Sequence, residues 1–281
     1  MNQRFRTKFS SLFVLHFLFT LFCVNAQAQQ CCDVPGWQYV VEITIDNTYP
    51  GNAAQANYPV LLTIDTQTPI AAGNMNANIA ADIRFTDNTC GPFLDYWMET
   101  GFNTTATEIW VLVPTIPANA VTTLFMYYGN PAAVPVSNFN NVFTSVYTLN
   151  GAASLSGVQT YDWIDIQAGG TINLVQGATL TLNARKIIIA GTINGNNCGF
   201  GAASGPGAGG NGGGSDGGGG GGYGGQGGSG KCPGGNSGAA NGTPNGVNIN
   251  MGSGGGGSDC NPNVGGGGAV TIQGSVVDLS L

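Results

Sequence analysis

The chain has 281 residues, which is enough for one or two domains with a buried core. Charged residues make up 7% of it, against about a quarter in ordinary soluble domains, and acidic side chains outnumber basic ones 14 to 7. Its one histidine, His16, falls in an N-terminal segment that we expect to be removed. A mature chain without histidine excludes Ser-His-Asp and Cys-His catalysis and histidine-ligated zinc, and the acidic balance excludes a basic nucleic-acid footprint.

The N-terminus has the pattern of a secretory signal peptide. Three basic residues precede the apolar run 11–24, and a small-x-small cleavage site ends at Ala28. We therefore predict removal of residues 1–28 and a secreted or cell-surface location. The mature chain keeps four basic side chains against all 14 acidic ones, which gives a net charge of −10. This charge disfavours nucleic acid and anionic membranes as partners, and no second apolar run is long enough to span a bilayer.

Six cysteines remain once the signal peptide is removed, and an even number in an exported chain predicts disulfide bonds. Their grouping along the chain predicts that Cys90 pairs with Cys31 or Cys32. It also predicts that two of Cys198, Cys232 and Cys260 pair with each other. One cysteine is then left over in each group, so a bond between the two regions is a further alternative. A metal site is disfavoured because the chain has no CxxC motif. The six are Cys31, Cys32, Cys90, Cys198, Cys232 and Cys260.

Residues 33–147 alternate apolar and polar side chains in short runs separated by Gly, Pro and Asn. A period of two with β-branched and aromatic residues predicts half-buried strands, and this spacing is typical of an antiparallel sandwich. No amphipathic helix is evident, and the last run is apolar on both faces. We therefore predict an all-β fold that begins with a jelly-roll-like β-sandwich. The predicted strands are 37–45, 58–64, 83–85, 94–98, 109–113 and 122–128.

The same residues carry a family resemblance. The segments ITIDNT (43–48), NYPVLLTID (57–65), EIWVLVPTIPA (108–118) and TTLFMYYGNPAA (122–133) follow one another in this order. Over about residues 36–145 the chain resembles the domain of unknown function numbered 2341, which is found in exported prokaryotic proteins. The resemblance implies a compact β-sandwich module on a secreted or surface protein. It implies no activity and no catalytic residues.

The C-terminal half has a different pattern. Residues 150–194 contain short strands separated by Gly turns, which predicts coils of a parallel β-solenoid. Residues 195–268 hold 35 Gly in 74 positions, and so few apolar side chains predict a mobile excursion or loosely packed loops. The strand pattern resumes at 269–281 and stops partway, which suggests a truncated or clipped longer protein. This Gly-rich solenoid is similar to segments of bacterial adhesins and other surface proteins.

Three residues of one predicted strand are the candidate ligand-binding site. If Tyr96 and its alternate neighbours face the core, then Asp95, Trp97 and Glu99 share the opposite face. An indole between two carboxylates can hold a sugar, because the ring stacks on the apolar sugar face while the acids accept hydrogen bonds from hydroxyls. The alternative is that Trp97 packs beneath a loop and the acids are merely solvated.

Asp82 and Asp87, on the neighbouring segment, are candidates either to join this face or to bind calcium through oxygen ligands. No other cofactor is expected. Nothing in the sequence selects a glycosidase pair among the 14 acids, and Arg185 and Lys186 point to opposite faces of one strand. We therefore expect a non-enzymatic protein for adhesion or extracellular recognition, with a glycan or surface polymer as its partner. A structural spacer without a ligand and a carbohydrate-active enzyme are the alternatives.

Overall fold

The computed structural model describes residues 34–77, 81–87, 91–213, 216–223, 225–231, 234–242, 250–257 and 265–279. The chain divides between Thr144 and Ser145 into two compact units, each described by itself below. The predicted signal peptide, residues 1–28, lies outside the described residues. Within the described ranges, no helix is both long enough and apolar enough to cross a membrane.

The first unit is a sandwich of two antiparallel sheets, as the alternation predicts. Its elements are β1 (Tyr39–Asp46), β2 (Gln55–Ile64), α1 (Gln67–Ala71), β3 (Arg84–Asp87), β4 (Tyr96–Thr100), β5 (Thr107–Ile116), β6 (Val121–Tyr128) and α2 (Phe139–Val142). One sheet has the strand order β1-β6-β3 and the other β2-β5-β4. The six strands match the predicted ones. The two helices are one turn long, which is too short for a helical period to show in the sequence.

The sandwich core lies between the two sheets and consists of the inward side chains of every strand. Inward side chains alternate with outward ones along these strands, and packing of the apolar inward ones between the sheets removes their surface from water. The core residues with no exposed surface are Ile45, Ile83, Phe85, Ile109, Val111, Val113 and Leu124.

The doubly apolar strand β6 lies in the middle of its sheet, and both of its faces are covered. Leu124 and Met126 point into the core between the sheets. Phe125 and Tyr127 point to the opposite face, where Trp37 packs over them. The segment before β1 therefore forms a partial third layer, which explains why β6 has no polar face.

The second unit is a parallel β-solenoid, which confirms the predicted fold class. Its strands are β7 (Val146–Leu149), β8 (Ala152–Leu155), β9 (Gly157–Thr160), β10 (Trp163–Ile166), β11 (Thr171–Leu174), β12 (Thr179–Ile189), β13 (Thr192–Asn194) and β14 (Ala269–Asp278). One side stacks β7, β10, the end of β12 and the end of β14. A second side stacks β8, β11 and β13, and a third stacks β9 with the first halves of β12 and β14.

Each coil of the solenoid passes once through all three sides and buries its inward side chains against the next coil. β7, which lies before the predicted solenoid region 150–194, and β8 and β9 within that region were not predicted as strands, because each has four residues and mostly exposed side chains. The inward residues with no exposed surface are Ile164, Ile166, Ile172, Leu180, Leu182 and Ile187.

The Gly-rich segment is an insertion at one corner of the third coil. In the second coil, four residues separate β11 from β12. At the same corner of the third coil, residues 195–268 separate β13 from β14. Gly268 returns beside the start of the insertion, where its amide donates to the Gly195 carbonyl at 2.8 Å. The insertion therefore leaves and rejoins the solenoid without breaking its coil.

The described part of the insertion is held together by backbone hydrogen bonds that repeat every three residues. A repeat of three is that of the extended polyproline II helix, whose successive residues point to different neighbours. Two of its segments pair in parallel and two pair in antiparallel. The parallel bonds run from the amides of Gly235, Gly238 and Asn241 to the carbonyls of Gly217, Gly220 and Tyr223, and the antiparallel bonds run from Gly227 to Gly238 and from Gly230 to Gly235, all at 2.8–2.9 Å.

This packing requires glycine at its contact positions. A Cβ atom on Gly219, Gly230 or Gly235 would overlap a carbonyl oxygen of the adjacent segment. Without side chains the segments approach until their amides and carbonyls pair directly, which satisfies the backbone groups that a loop leaves to water. The predicted loose packing is therefore wrong for the described residues, because that prediction counted only buried apolar side chains.

Replacing Gly235 by Ala is expected to open the insertion, because the new methyl group would overlap the Gly210 carbonyl. Overpacking of this kind costs about 1–3 kcal/mol, so hydrogen exchange of the insertion amides should accelerate roughly tenfold or more. Gly228→Ala is the matched control, since nothing lies within 4 Å of the position of its Cβ. Equal exchange rates in the two variants would contradict the packed arrangement.

Candidate functional site

The three predicted ligand-binding residues lie together on the outer face of the sandwich. Tyr96, the first residue of β4, is buried in the core, so its neighbours Asp95 and Trp97 point outward. The register of β4 shifts between Met98 and Thr100, and the Glu99 side chain reaches the same face, where it bonds to Trp110. The structure thus brings Asp95, Trp97 and Glu99 to one face at an edge of the sheet.

Glu99 binds the indole of a tryptophan on the next strand. Trp110 of β5 lies directly opposite Trp97, and its Nε1 donates to Glu99 Oε2 at 2.7 Å. Trp110 is 1% exposed, so this bond satisfies a buried donor that would otherwise cost stability. Trp110 is therefore a buried packing residue, and the bond fixes the Glu99 carboxylate on the outer face.

Helix α2 covers part of this face with aromatic rings. The Trp97 ring meets Phe139 edge to face, with centroids 5.0 Å apart, and Phe143 at 6.0 Å. Phe143 also packs on Trp110 at 5.2 Å. We call Trp97, Trp110, Phe139 and Phe143 the outer aromatic cluster. Within it Trp97 is half-buried, so the helix covers part of its surface and leaves the rest accessible.

The segment that carries α2 is tied to β4 by polar bonds. The Asn138 amide donates to the Tyr96 carbonyl at 2.9 Å, and the Ser137 hydroxyl accepts from a β4 amide at 2.8 Å. The Asn138 side chain also caps α2. Asp95, which is exposed, accepts from Asn141 Nδ2 through its Oδ1 at 2.8 Å. These bonds hold the carboxylate of Asp95 in place beside Trp97.

The two candidate calcium ligands do not come together. Asp82 lies in the turn before β3 and Asp87 is the last residue of that strand, so the length of β3 separates them. The Asp82 carboxylate is buried, and its Oδ2 accepts the amides of Asn76 at 3.0 Å and Gly129 at 3.1 Å. Both acids belong to the β1-β6-β3 side of the sandwich rather than to the sheet of Trp97. In the described parts of the chain, no group of three or more metal-ligating side chains is close enough to hold an ion.

Arg84, which the sequence reasoning did not single out, is the buried cation of the sandwich. Its Nη1 donates to the carbonyls of Ala81 at 3.0 Å and Ile83 at 2.7 Å. Its Nη2 donates to the Val134 carbonyl at 2.7 Å, fifty residues away in the chain. The guanidinium thus links the turn before β3 to the segment after β6.

Two aromatic rings that contact each other, with centroids 5.8 Å apart, lie beside the same guanidinium. Its central carbon lies 5.3 Å from the Trp37 ring centroid and 5.9 Å from that of Phe93. Cation–π contacts of this kind are strongest where water is excluded. Burial raises the pKa of the Tyr96 hydroxyl, and the positive charge of Arg84 opposes this rise. The only hint of this role in the sequence was a lone arginine in an otherwise apolar and acidic strand region.

Cys198 is the one predicted disulfide cysteine that lies within the described residues, and there it is free. Its Sγ is close to the carbonyls of Leu174, at 3.2 Å, and Asn196, at 3.1 Å. The other five cysteines lie outside the described residues, so their pairing stays a prediction.

Comparison with known proteins identifies one matching family. Residues 80–167 match the family model described as a domain of unknown function (DUF2341), which confirms the resemblance seen in the sequence. The matched stretch contains β3 to β10 and so includes the face of Asp95, Trp97 and Glu99. No curated protein and no solved structure matches the chain. The similarity of the Gly-rich solenoid to bacterial surface proteins stays a prediction.

Replacing Arg84 by Lys is expected to destabilise the sandwich although it keeps the charge. Lysine cannot reproduce a planar fork that reaches three carbonyls and packs against two rings. We expect a loss of about 2–4 kcal/mol in the free energy of unfolding, measured by denaturant titration of the sandwich signal. Arg84→Met, which removes the charge and keeps the stem, is the companion variant. A lysine variant as stable as the parent would show that the guanidinium geometry contributes nothing.

Proposed function

We propose that the protein is an exported, non-enzymatic protein of the cell surface or extracellular space that recognises a glycan through the outer face of β4. The observation that carries the proposal is the row of Asp95, Trp97 and Glu99 on one edge strand, with a partly accessible indole between two carboxylates. Neutral sugars are the favoured class, because two carboxylates on a mature chain of net charge −10 repel acidic polysaccharides.

The polar groups of this face are held in place before a ligand arrives. Asn141 fixes Asp95, and Trp110 fixes Glu99. A carboxylate has about four acceptor sites on its two oxygens, so the exposed Asp95 can accept a sugar hydroxyl while it keeps its bond to Asn141. Side chains that are already ordered lose less entropy on binding, which favours affinity for a small polar ligand.

The bonding of the two carboxylates favours recognition over hydrolysis. Asn141 donates to Asp95 and the buried indole of Trp110 donates to Glu99, so both carboxylates already act as hydrogen-bond acceptors. A glycosidase needs one carboxyl group that donates a proton and a second that acts as nucleophile or base, about 5–9.5 Å apart on either side of the scissile bond. A carbohydrate-active enzyme is therefore the weaker alternative.

The structural spacer is the second candidate. It is favoured by the packing of Phe139 and Phe143 against Trp97, which gives this indole a role in holding α2 to the sheet. A spacer would bind no ligand at this face, and the same experiment therefore separates the two functions.

We expect the full mature chain, produced in an oxidising compartment, to bind a defined group of neutral glycans on an array. Asp95→Asn should lower binding about tenfold through loss of a charged hydrogen-bond acceptor, and Trp97→Ala should abolish it. The array is probed with and without calcium, which also tests the calcium alternative. Glu42→Gln, on an exposed position of β1 in the other sheet, is the matched control and should bind like the parent.

Circular dichroism of each variant confirms that the sandwich remains folded. If the folded parent protein binds no glycan on the array, the spacer function is favoured. Release of reducing ends from a polysaccharide would favour the enzyme. If binding survives both Asp95→Asn and Trp97→Ala, the binding site does not lie on the face of β4.

A further inference from the structure

The sheet that carries Trp97 presents several acidic side chains on its outer face. Asp95 and Glu99 lie on either side of Trp97 in the sequence, and Glu108 of β5 also points outward, because both of its neighbours are buried. Every residue of β2, β5 and β4 is described, and none of them is Lys, Arg or His. Arg84, the nearest basic residue in the sequence, belongs to the other sheet and donates to three backbone carbonyls there. The strands of this sheet therefore offer no positive charge to offset its acids.

The hydrogen-bonding groups beside the indole are mainly acceptors. An ionised carboxylate only accepts hydrogen bonds, and it has about four acceptor sites on its two oxygens. Asp95 accepts from Asn141 Nδ2, and Glu99 accepts from the indole of Trp110. Both bonds direct a protein donor at a carboxylate rather than at a ligand. A ligand that fits this face therefore has to supply the donors.

The indole distinguishes this face from an ordinary acidic surface. The face of an aromatic ring carries a negative electrostatic potential and attracts a cation within about 6 Å of its centroid, most strongly in the case of Trp. The chain makes this contact internally in both units. The guanidinium of Arg84 lies beside Trp37, and Lys186 Nζ lies 5.2 Å from the ring centroid of Trp163. At the half-buried Trp97, ring and carboxylates thus favour the same sign of charge in a bound ligand.

We propose that the outer face of β4 binds sugars with a free amino group more tightly than neutral sugars of the same ring. The inference rests on the proposed function and extends its favoured class from neutral to basic sugars. The sugar ring stacks on Trp97 in either case, and the protonated amine takes the position of one hydroxyl beside Asp95 or Glu99. An ammonium group has three donors and no acceptor, which suits a face made of acceptors.

Charge and shape together favour an amino sugar over other cations. A bond between an ammonium and a carboxylate is about twice as strong as one between neutral groups, so the amine gains more than a hydroxyl in the same place. A lysine side chain carries the same ammonium group but has no apolar ring face to stack on Trp97. The sugar ring and the amine are therefore both needed for the tightest binding.

The test compares two oligosaccharides that differ only in their acetyl groups. The full mature chain is titrated calorimetrically with a chitosan tetramer and with the chitin tetramer of the same length. We expect the chitosan tetramer to bind about tenfold more tightly at low salt. High salt should reduce this preference, because it screens charges that are exposed to solvent.

Two charge-neutralising variants locate the origin of the preference. Glu99→Gln keeps an oxygen that can accept from Trp110 and removes only the charge, so it should lower the preference for chitosan by about threefold or more. Glu42→Gln is the matched control, since it removes the same charge from an exposed position of the other sheet and should leave the preference unchanged. A preference that falls equally in both variants would assign it to the net charge of the chain and overturn the inference.

The remaining outcomes separate this inference from the proposed function. Equal affinity for the two tetramers, or binding of neutral array glycans without binding of chitosan, would overturn the inference and leave the proposed function standing. Absence of binding to both tetramers and to every glycan on the array would overturn both. A lysine tetrapeptide that binds as tightly as the chitosan tetramer would show that the cation alone is recognised, which contradicts an amino-sugar site.

Discussion

Hydrogen bonding between the backbones of neighbouring segments is the interaction on which this structure depends. It supplies the antiparallel ladders of the sandwich, the parallel ladders of the solenoid and the three-residue repeat of the Gly-rich insertion. The three parts differ in the contacts that accompany these hydrogen bonds. Apolar side chains exclude water in the first two, whereas in the insertion the absence of side chains lets the backbones themselves make contact.

The sandwich has aromatic side chains outside its core as well as within it. Trp37 covers one sheet, with Arg84 beside it, and the outer aromatic cluster covers the other. These aromatic side chains hold loops and a one-turn helix against the sheets, because those segments have too few apolar residues of their own to pack there. One of them also creates the candidate glycan-binding face, because α2 holds Asp95 and shields only part of Trp97. Packing and the proposed recognition thus use the same residues on β4.

The solenoid gives the Gly-rich insertion a fixed attachment point. The insertion leaves and rejoins the third coil at one corner. Insertions at one position of a repeat commonly carry the variable surface of solenoid proteins, because the coils beneath them are fixed.

The sequence by itself determined the strands of the sandwich, most coils of the solenoid and the outer face of β4, because a period of two assigns each side chain to one face. Tertiary structure alone decided three other points. Arg84 donates to a carbonyl fifty residues away in the chain. The length of β3 separates Asp82 from Asp87, and the indole of Trp110 donates to Glu99. The packing of the insertion was also decided by the tertiary structure. Glycine has no side chain that could form a sequence pattern, and the backbone contacts of the insertion join residues that are distant in the chain.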